Sequence, residues 1–376
     1  MPDDDHIATL SMSFSAWPKV AFGLSLVVSS QLPTLLKNYT GFIAKSLKES
    51  TMTPAELHDK AIVIDGLICA KWNRELFEDM AKGKLTAANC TVSFWENFEG
   101  TVRNVVEMNQ LIEANSDLLT KVYTTKDIHR AKVEGKTGVM MGFQNAHAFE
   151  DQIGYVQIFK DLGVGIVQMC YNTQNLVGTG CYERDGGLSG YGREIVAEMN
   201  RVGMLCDLSH VGPNTAKEVI IESKKPVAYS HCLPSGLKEH PRNRSDEELK
   251  FIADHGGFVG VTMFTPFLKA GVNATIDDYV EAIQYIYNIV GEDAIGIGTD
   301  FTQGHGHDFF EYLTHDKGYA RRLTRFGEII NPKGIRTVGE FPNLTEALLR
   351  NGFSERQVCK IMGENWVNLL AEVWDE

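Results

Sequence analysis

From residue 61 onward, short apolar runs rich in β-branched residues alternate with longer stretches whose apolar positions recur at helical period. The runs Ala61 to Cys69, Leu85 to Phe94, Thr137 to Asn145, Gly165 to Asn172, Met204 to His210, Pro226 to Cys232, Phe258 to Phe264 and Ala294 to Asp300 read as eight strands. Helical patterns lie between and after them, at 74–82, 101–119, 151–162, 192–202, 214–223, 246–254, 276–290, 344–351 and 355–373. Strands and helices alternating at this spacing imply parallel pairing through right-handed crossovers. Eight such units predict an α/β fold closed as a (β/α)8 TIM barrel, because closure removes the unpaired edges an open sheet exposes. An open doubly wound sheet is the alternative that the pattern leaves. Residues 304–336 interrupt the repeat as a polar insertion long enough to lie over the barrel mouth.

With 376 residues, 43% hydrophobic and 23% charged, the chain can bury a full core, and its length fits one large barrel or two smaller domains. A net charge of −13 repels nucleic acid and anionic lipid at long range. The expected partner is therefore a small molecule, with neither nucleic acid nor a membrane, and a homodimer is the default assembly. Seven cysteines, odd in number and unpaired in spacing, read as thiols of a reducing compartment, so a cytoplasmic location is expected. The first fifty residues differ: acidic Asp3-Asp4-Asp5 precedes an apolar, Ser-rich stretch from Val20 to Leu36 that Gln31 and Pro33 interrupt. That stretch lacks the basic start of a secretory signal and falls short of the roughly 20 apolar residues of a spanning helix. Residues 1–51 are read as a leader or appended segment, and 52–376 as the domain.

Three strings close apolar runs: Asp207-Leu208-Ser209-His210, Tyr229-Ser230-His231 and Gly298-Thr299-Asp300. In a barrel the C-terminal strand ends meet around one pocket, so two imidazoles and a carboxylate converge there. Imidazole suits zinc and an Asp oxygen completes such sites, so the constellation points to metal-assisted hydrolysis. Weaker signals surround it. Cys69, Cys90, Cys170 and Cys232 end strands, which suits a soft metal or an activated thiol, although packing explains most of this placement. His305-Gly306-His307 has metal-binding composition on a loop and reads as a pair of rim residues. The glycines from Gly178 to Gly192 read as a gating or shaping loop, and Phe94-Trp95, Tyr182, Phe264 and Phe267 as pocket walls.

Together with His240-Pro241-Arg242-Asn243, Gly187-Leu188-Ser189 and Glu198-Met199-Asn200-Arg201, these strings resemble the signature of the renal (membrane) dipeptidase family of zinc peptidases, peptidase family M19, from about Met52 to the C-terminus. The resemblance implies two zinc ions bridged by a carboxylate and a water, acting on short peptides with a free C-terminal carboxylate. His210 and His231 then hold one zinc, Asp300 handles the proton of the attacking water, and Arg242 clamps the substrate carboxylate with its planar fork. Tyr171 falls where the mammalian enzymes place an oxyanion-stabilising histidine, and it or Asn172 polarises the substrate carbonyl.

The departures are as informative. The family's first strand ends in a His-x-Asp pair, where this chain has Leu67-Ile68-Cys69, and its bridging glutamate falls on Gln144. Without the bridging charge, two divalent ions a few Å apart repel by several kcal/mol even at an effective dielectric near 20. The expectation is at most one zinc, on His210 and His231 with Asp300 or Cys69 as third ligand, and Gln144 left among the substrate contacts. The predicted activity is hydrolysis of the amide of a dipeptide or similar small carboxylate-bearing substrate, with ordinary dipeptidase activity weak or absent. Two rivals keep the barrel: non-peptidase chemistry on a small amino-acid derivative, and an inactive homologue that only binds a small ligand.

Overall fold

A computed structural model describes residues 52–374. The leader reading of 1–51 lies outside the described residues. The apolar runs form parallel strands β1 (Ile64–Ile68), β2 (Ala87–Ser93), β4 (Thr137–Phe143), β5 (Val164–Gln168), β6 (Leu205–Asp207), β7 (Ala228–Cys232), β8 (Phe258–Val261) and β9 (Ile295–Ile297), paired in that order. A ninth strand, β3 (Leu119–Lys121), pairs alongside β4. The chain closes on itself where Cys69 N–H donates to Phe301 O at 2.9 Å and Asp300 N–H to Leu67 O at 3.0 Å. This is the predicted (β/α)8 barrel.

The helices that follow the strands are α2 (Arg74–Lys82), α3 (Phe98–Ala114), α4 (Thr125–Glu134), α5 (Tyr155–Asp161), α6 (Gly190–Val202), α7 (Pro213–Glu222), α8 (Asp246–Asp254) and α9 (Ile276–Val290), with α1 (Pro54–Lys60) ahead of them. One predicted helix, 101–119, is too long. It stops at Asn115, whose Nδ2 donates to Leu111 O at 2.8 Å and ends the helix, and the chain continues as β3 and then α4. Helix α4 is opened by a Thr124/Asp127 capping box and closed by Gly135 at φ 67°, two local signals that the apolar pattern does not contain. After α10 (His307–Leu313) and α11 (Phe341–Arg350), the predicted helix 355–373 is broken into α12 (Glu355–Cys359) and α13 (Asn365–Trp374) by a wide turn at Lys360–Glu364. Gly363 sits in that turn because a Cβ there would lie 2.4 Å from Ile62 O.

Inside the barrel the lowest layer is apolar, from Ile64, Ala87, Met140, Ile166, Leu205, Ala228 and Phe258, and α13 inserts Trp366 beneath it. Above this floor the strands carry Gly66, Gly142, Gly260 and Gly298 beside Asn89, Gln168, Asp207 and Ser230, all in the buried interior. Two buried carboxylates then brace neighbouring strands near the top. Asp65 accepts from the Leu67 and Thr299 N–H groups and the Thr299 hydroxyl, tying β1 to β9. Asp207 does the same between β6 and β7. Such braces fix the strand ends that carry the chemistry.

Away from the mouth, His58 of α1 is fully buried, with Nδ1 2.7 Å from Thr345 Oγ1 and Nε2 3.0 Å from Gly83 O. The carbonyl can only accept, so the proton sits on Nε2 and the ring is neutral. Burial holds its pKa below the usual 6.5. A depressed histidine contributes stability that is complete above the unfolded pKa and is lost as pH falls through the folded one. The expected result is a Tm that drops as pH goes from 7 to 5, with a smaller drop in His58→Gln, checked by thermal melts of both proteins across that range.

Candidate active site

Strands β6 and β7 pair at Asp207 and Ala228, which brings the residues that follow each strand to one side of the rim. The Asp207 carboxylate accepts the N–H and Oγ–H of Ser209 at 3.0 and 2.7 Å and those of Ser230 at 2.9 and 2.6 Å. Held by this brace, His210 and His231 face each other with their Nε2 atoms 3.0 Å apart.

The partners of the two rings fix their tautomers. Nδ1 of His210 lies 2.7 Å from Asn172 Oδ1, which can only accept, so that nitrogen carries a proton. Nδ1 of His231 lies 2.7 Å from Ser230 Oγ, whose own proton goes to Asp207, so this nitrogen is also the donor. Burial, with Arg242 and Arg244 nearby, holds both imidazoles well below their ordinary pKa, so neither takes a second proton at neutral pH. Two bare nitrogen lone pairs therefore point at one spot. Mutual repulsion makes that arrangement costly unless a cation stands there, and orienting the donors through their second nitrogens is how metal-binding imidazoles are held.

Asp300 follows β9 and Asn172 follows β5, and both adopt the left-handed region, at φ 62° and 65°. Non-glycine residues seldom take that conformation, Asn and Asp more readily than the rest, and such positions cluster at active sites. Asp300 keeps part of its surface open to the mouth, yet burial pushes its carboxyl up to about 7 against the opposing pull of Arg242. A carboxylate poised near neutrality suits a proton acceptor.

Arg242 is 1% exposed. Its Nη2 reaches His231 O at 3.5 Å and its Cζ lies 5.4 Å from the Phe267 ring centre, while Nε and Nη1 are buried without a hydrogen-bond partner. An unpaired buried guanidinium is expensive and calls for an anion. Neighbouring Arg244 also leaves its Nε without a partner, but it donates to Val211 O at 2.7 Å, pairs with Glu248 and stacks on Tyr229, so it reads as a structural pin.

Tyr171 stacks on His210 with ring centres 4.1 Å apart and receives the edges of Phe94 and Trp95. The 304–336 insertion does cover the mouth: Tyr312 packs on Trp95, Asp316 accepts from Thr173, and Phe326 packs on Phe264 and Phe267. Tyr182 meets His240 edge-on, so the predicted wall residues all stand around the rim. His305 stacks on Phe309 at 3.6 Å and His315 Nδ1 lies 2.8 Å from Glu311 O. The glycine-rich loop shapes the rim by close approach: Cys181 N–H donates to His210 O, and a Cβ on Gly180 would lie 2.2 Å from the Asn172 backbone.

Other expectations meet different surroundings. Among the described residues no group of three or more His, Cys, Asp and Glu side chains is placed to hold a metal ion, so neither Cys69 nor Asp300 completes a three-donor set with the two imidazoles. Cys69 is 5% exposed, and burial together with the Asp300 charge raises its thiol pKa well above 9, which disfavours the thiolate that binds metal. All seven cysteines are free, and burial raises the pKa of each, so none is an activated nucleophile. Gln144 is buried and donates Nε2 to Thr91 Oγ1 at 3.0 Å. The side-chain oxygen of Asn172 is engaged by His210, which makes this residue a holder of the ring. Two positioning residues, Asp207 and Ser230, sit inside the sequence strings without having drawn a role. The signal was an Asp two residues before one hydroxyl, with a second hydroxyl directly before His231.

These donors fit one ion on His210 and His231. They do not fit a second, because Leu67 and Gln144 offer no anionic donor where a bridged pair needs one.

Comparison with known proteins adds independent findings. Residues 72–325 match the family model described as membrane dipeptidase (peptidase family M19). Dipeptidase tcpJ of Claviceps purpurea is 30% identical over 280 residues, 73% of this chain and 60% of that protein. Dipeptidase verJ of Clonostachys rogersoniana is 27% identical over 285 residues, 74% of this chain and 66% of its own. The chain thus spans less than two thirds of these relatives. Among solved structures, an amidohydrolase from Pseudomonas aeruginosa is 78% identical with TM-score 0.86, covering 86% of this chain and 100% of that one. A metallo peptidase from Rhodobacter sphaeroides, liganded with a phosphinate mimic of the dipeptide L-Ala-D-Ala, shares the fold at 19% identity and TM-score 0.70, over 84% of this chain and 100% of that one.

Proposed function

Since the chain belongs to the membrane dipeptidase family, a family of metallopeptidases, we propose that it hydrolyses the amide bond of a small substrate carrying a free carboxylate, with a single zinc ion held by His210 and His231. The observation that carries this reading is Arg242, a buried guanidinium with Nε and Nη1 unpartnered beside the paired imidazoles. A substrate carboxylate supplies the missing acceptors, and a fork-to-carboxylate contact fixes the orientation of the amide.

When bound, the ion supplies a polarised, more acidic water. The chain does the rest. Asp207 and Ser230 hold His231, Asn172 holds His210, and Asp300 takes the proton of the attacking water. The Tyr171 hydroxyl donates to the oxygen of the carbonyl under attack. Water adds to the carbonyl carbon, the C–N bond breaks, and the proton passes to the departing nitrogen, giving a carboxylate and an amine. Among the described residues no helix is long and apolar enough to cross a membrane. We retain the cytoplasm as the place of action and a homodimer as the assembly.

Arg242→Met tests the reading without threatening the fold. Losing charge-assisted hydrogen bonds to the carboxylate lowers kcat/KM about 100-fold, mostly through KM. Stability stays level or rises, because an unpaired buried charge has been replaced by a hydrocarbon of similar length. Substrates with an amidated C-terminus lose little between wild type and variant. An equal loss on both substrate types, or a large fall in Tm with unchanged KM, makes Arg242 structural.

A further inference from the structure

A cavity of ≈ 440 Å³ opens between the β1–α2 connection, the end of β2, and α3, under the edge of the insertion. In the closed strand order β6 stands opposite β1 and β7 opposite β2, so this cavity lies across the mouth from His210, His231 and Arg242. The apolar part of its wall is formed by Cys69, Val92, Phe94, Met108, Leu111 and Phe309, and His305 and Tyr312 of the insertion line it as well. Several of the polar groups near the wall are already committed. Trp72 Nε1–H donates to Thr91 O at 3.2 Å, Asn104 Nδ2–H to Val92 O at 2.8 Å, and Glu96 Oε2 accepts from Ser93 Oγ and Phe94 N. Lys71 and Glu107 line it too, but as exposed residues at its outer rim. The larger part of the lining is hydrocarbon, sulfur and aromatic ring.

Resting on the amide-hydrolysis reading above, the geometry points to this cavity as the receptor for the acyl half of the substrate, and to a large apolar acyl group, aromatic or branched, as its occupant. With the carboxylate pinned at Arg242 and the scissile carbonyl at the imidazole pair, the acyl group leaves in the direction away from Arg242. That direction is toward β1 and β2. The family's zinc-binding His-x-Asp pair stands at this end of the first strand, where this chain has Leu67 and Cys69, and Cys69 lines the cavity. The cavity volume lies in the range of ordinary small-ligand pockets, and a mostly apolar wall rewards buried carbon.

The test uses N-acetyl, N-butanoyl, N-hexanoyl and N-(3-phenylpropanoyl) derivatives of alanine with the purified full chain. Two readouts are taken: kcat/KM in the wild type, and thermal stabilisation of Asp300→Asn, which reports binding without turnover. Both rise with acyl size, kcat/KM by about fourfold per buried methylene. Leu111→Trp narrows the cavity and removes at least tenfold from the ratio of phenylpropanoyl to acetyl rates, whereas Val106→Trp on the exposed side of α3 leaves that ratio alone. Should Leu111→Trp fail to fold, Leu111→Ala serves, shifting the optimum to longer chains. Hydrolysis that is indifferent to acyl size overturns the cavity assignment and leaves the amidase reading standing. Binding that grows with acyl size without any hydrolysis does the reverse. Neither hydrolysis nor size-dependent binding overturns both.

Discussion

His210→Ala and His231→Ala should each cost at least about 10³-fold in kcat and remove the bound metal, the largest functional effects expected of single changes in this chain. The reason lies in the tautomers. Asn172 and the Ser230–Asp207 brace force a proton onto each Nδ1, so both Nε2 lone pairs face one point 3.0 Å from each other. One imidazole alone is a poor site, whereas two preoriented ones share a cation. The same logic sets the size of the secondary effects. Ser230→Ala and Asn172→Ala leave both Nε2 atoms in place but free the rings to turn, so zinc affinity falls by about 10- to 100-fold with most of the fold intact. Metal content and single-turnover rates of the four variants check this together. Full metal retention in His210→Ala would remove the site from where we place it.

Trp366→Ala is the corresponding prediction for stability. The indole is fully buried under the barrel, donates Nε1–H to Ile297 O at 2.8 Å and packs on Phe258 with ring centres 4.4 Å apart. Gly66, Gly260 and Gly296 leave the room it occupies: a Cβ on Gly66 would stand 2.2 Å from its ring, and on Gly296 2.8 Å from its nitrogen. Removing the ring opens a cavity in the floor and strands the Ile297 carbonyl. The loss is about 3–5 kcal/mol, a large share of the roughly 5–15 kcal/mol that a domain possesses. Urea denaturation reads it directly. Gly66→Ala should fail in the opposite sense, by overpacking the same place. If Trp366→Ala melts like wild type, the C-terminal helix is not what closes the barrel.

Much of this was legible in the chain, and the exceptions have physical causes. A barrel strand is buried on both faces and reads as a continuous apolar run, so eight strands could be counted. The short strand Leu119–Lys121 was not visible because it is three residues long and half-exposed. Helix α4 hid for a different reason: its mean composition is polar, and it is announced by Thr124, Asp127 and Gly135, which are capping signals rather than periodicity. At the mouth, the residue types at strand ends single out His210, His231 and Asp300, and barrel geometry gathers strand ends whatever lies between them, which sets the two imidazoles face to face. What the sequence could not supply was who holds whom. That Asn172 serves His210, that Ser230 passes the pull of Asp207 to His231, and that Cys69 borders an apolar cavity are facts of side-chain direction. A one-dimensional pattern carries the face of a strand but not the rotamer of the residue after it.

Equilibrium dialysis against excess zinc, followed by elemental analysis of the protein, tests the central claim most directly. The account predicts one zinc per chain in the wild type and none in the His210→Ala/His231→Ala double variant. Two zinc ions per chain, or one that survives loss of both imidazoles, would contradict it.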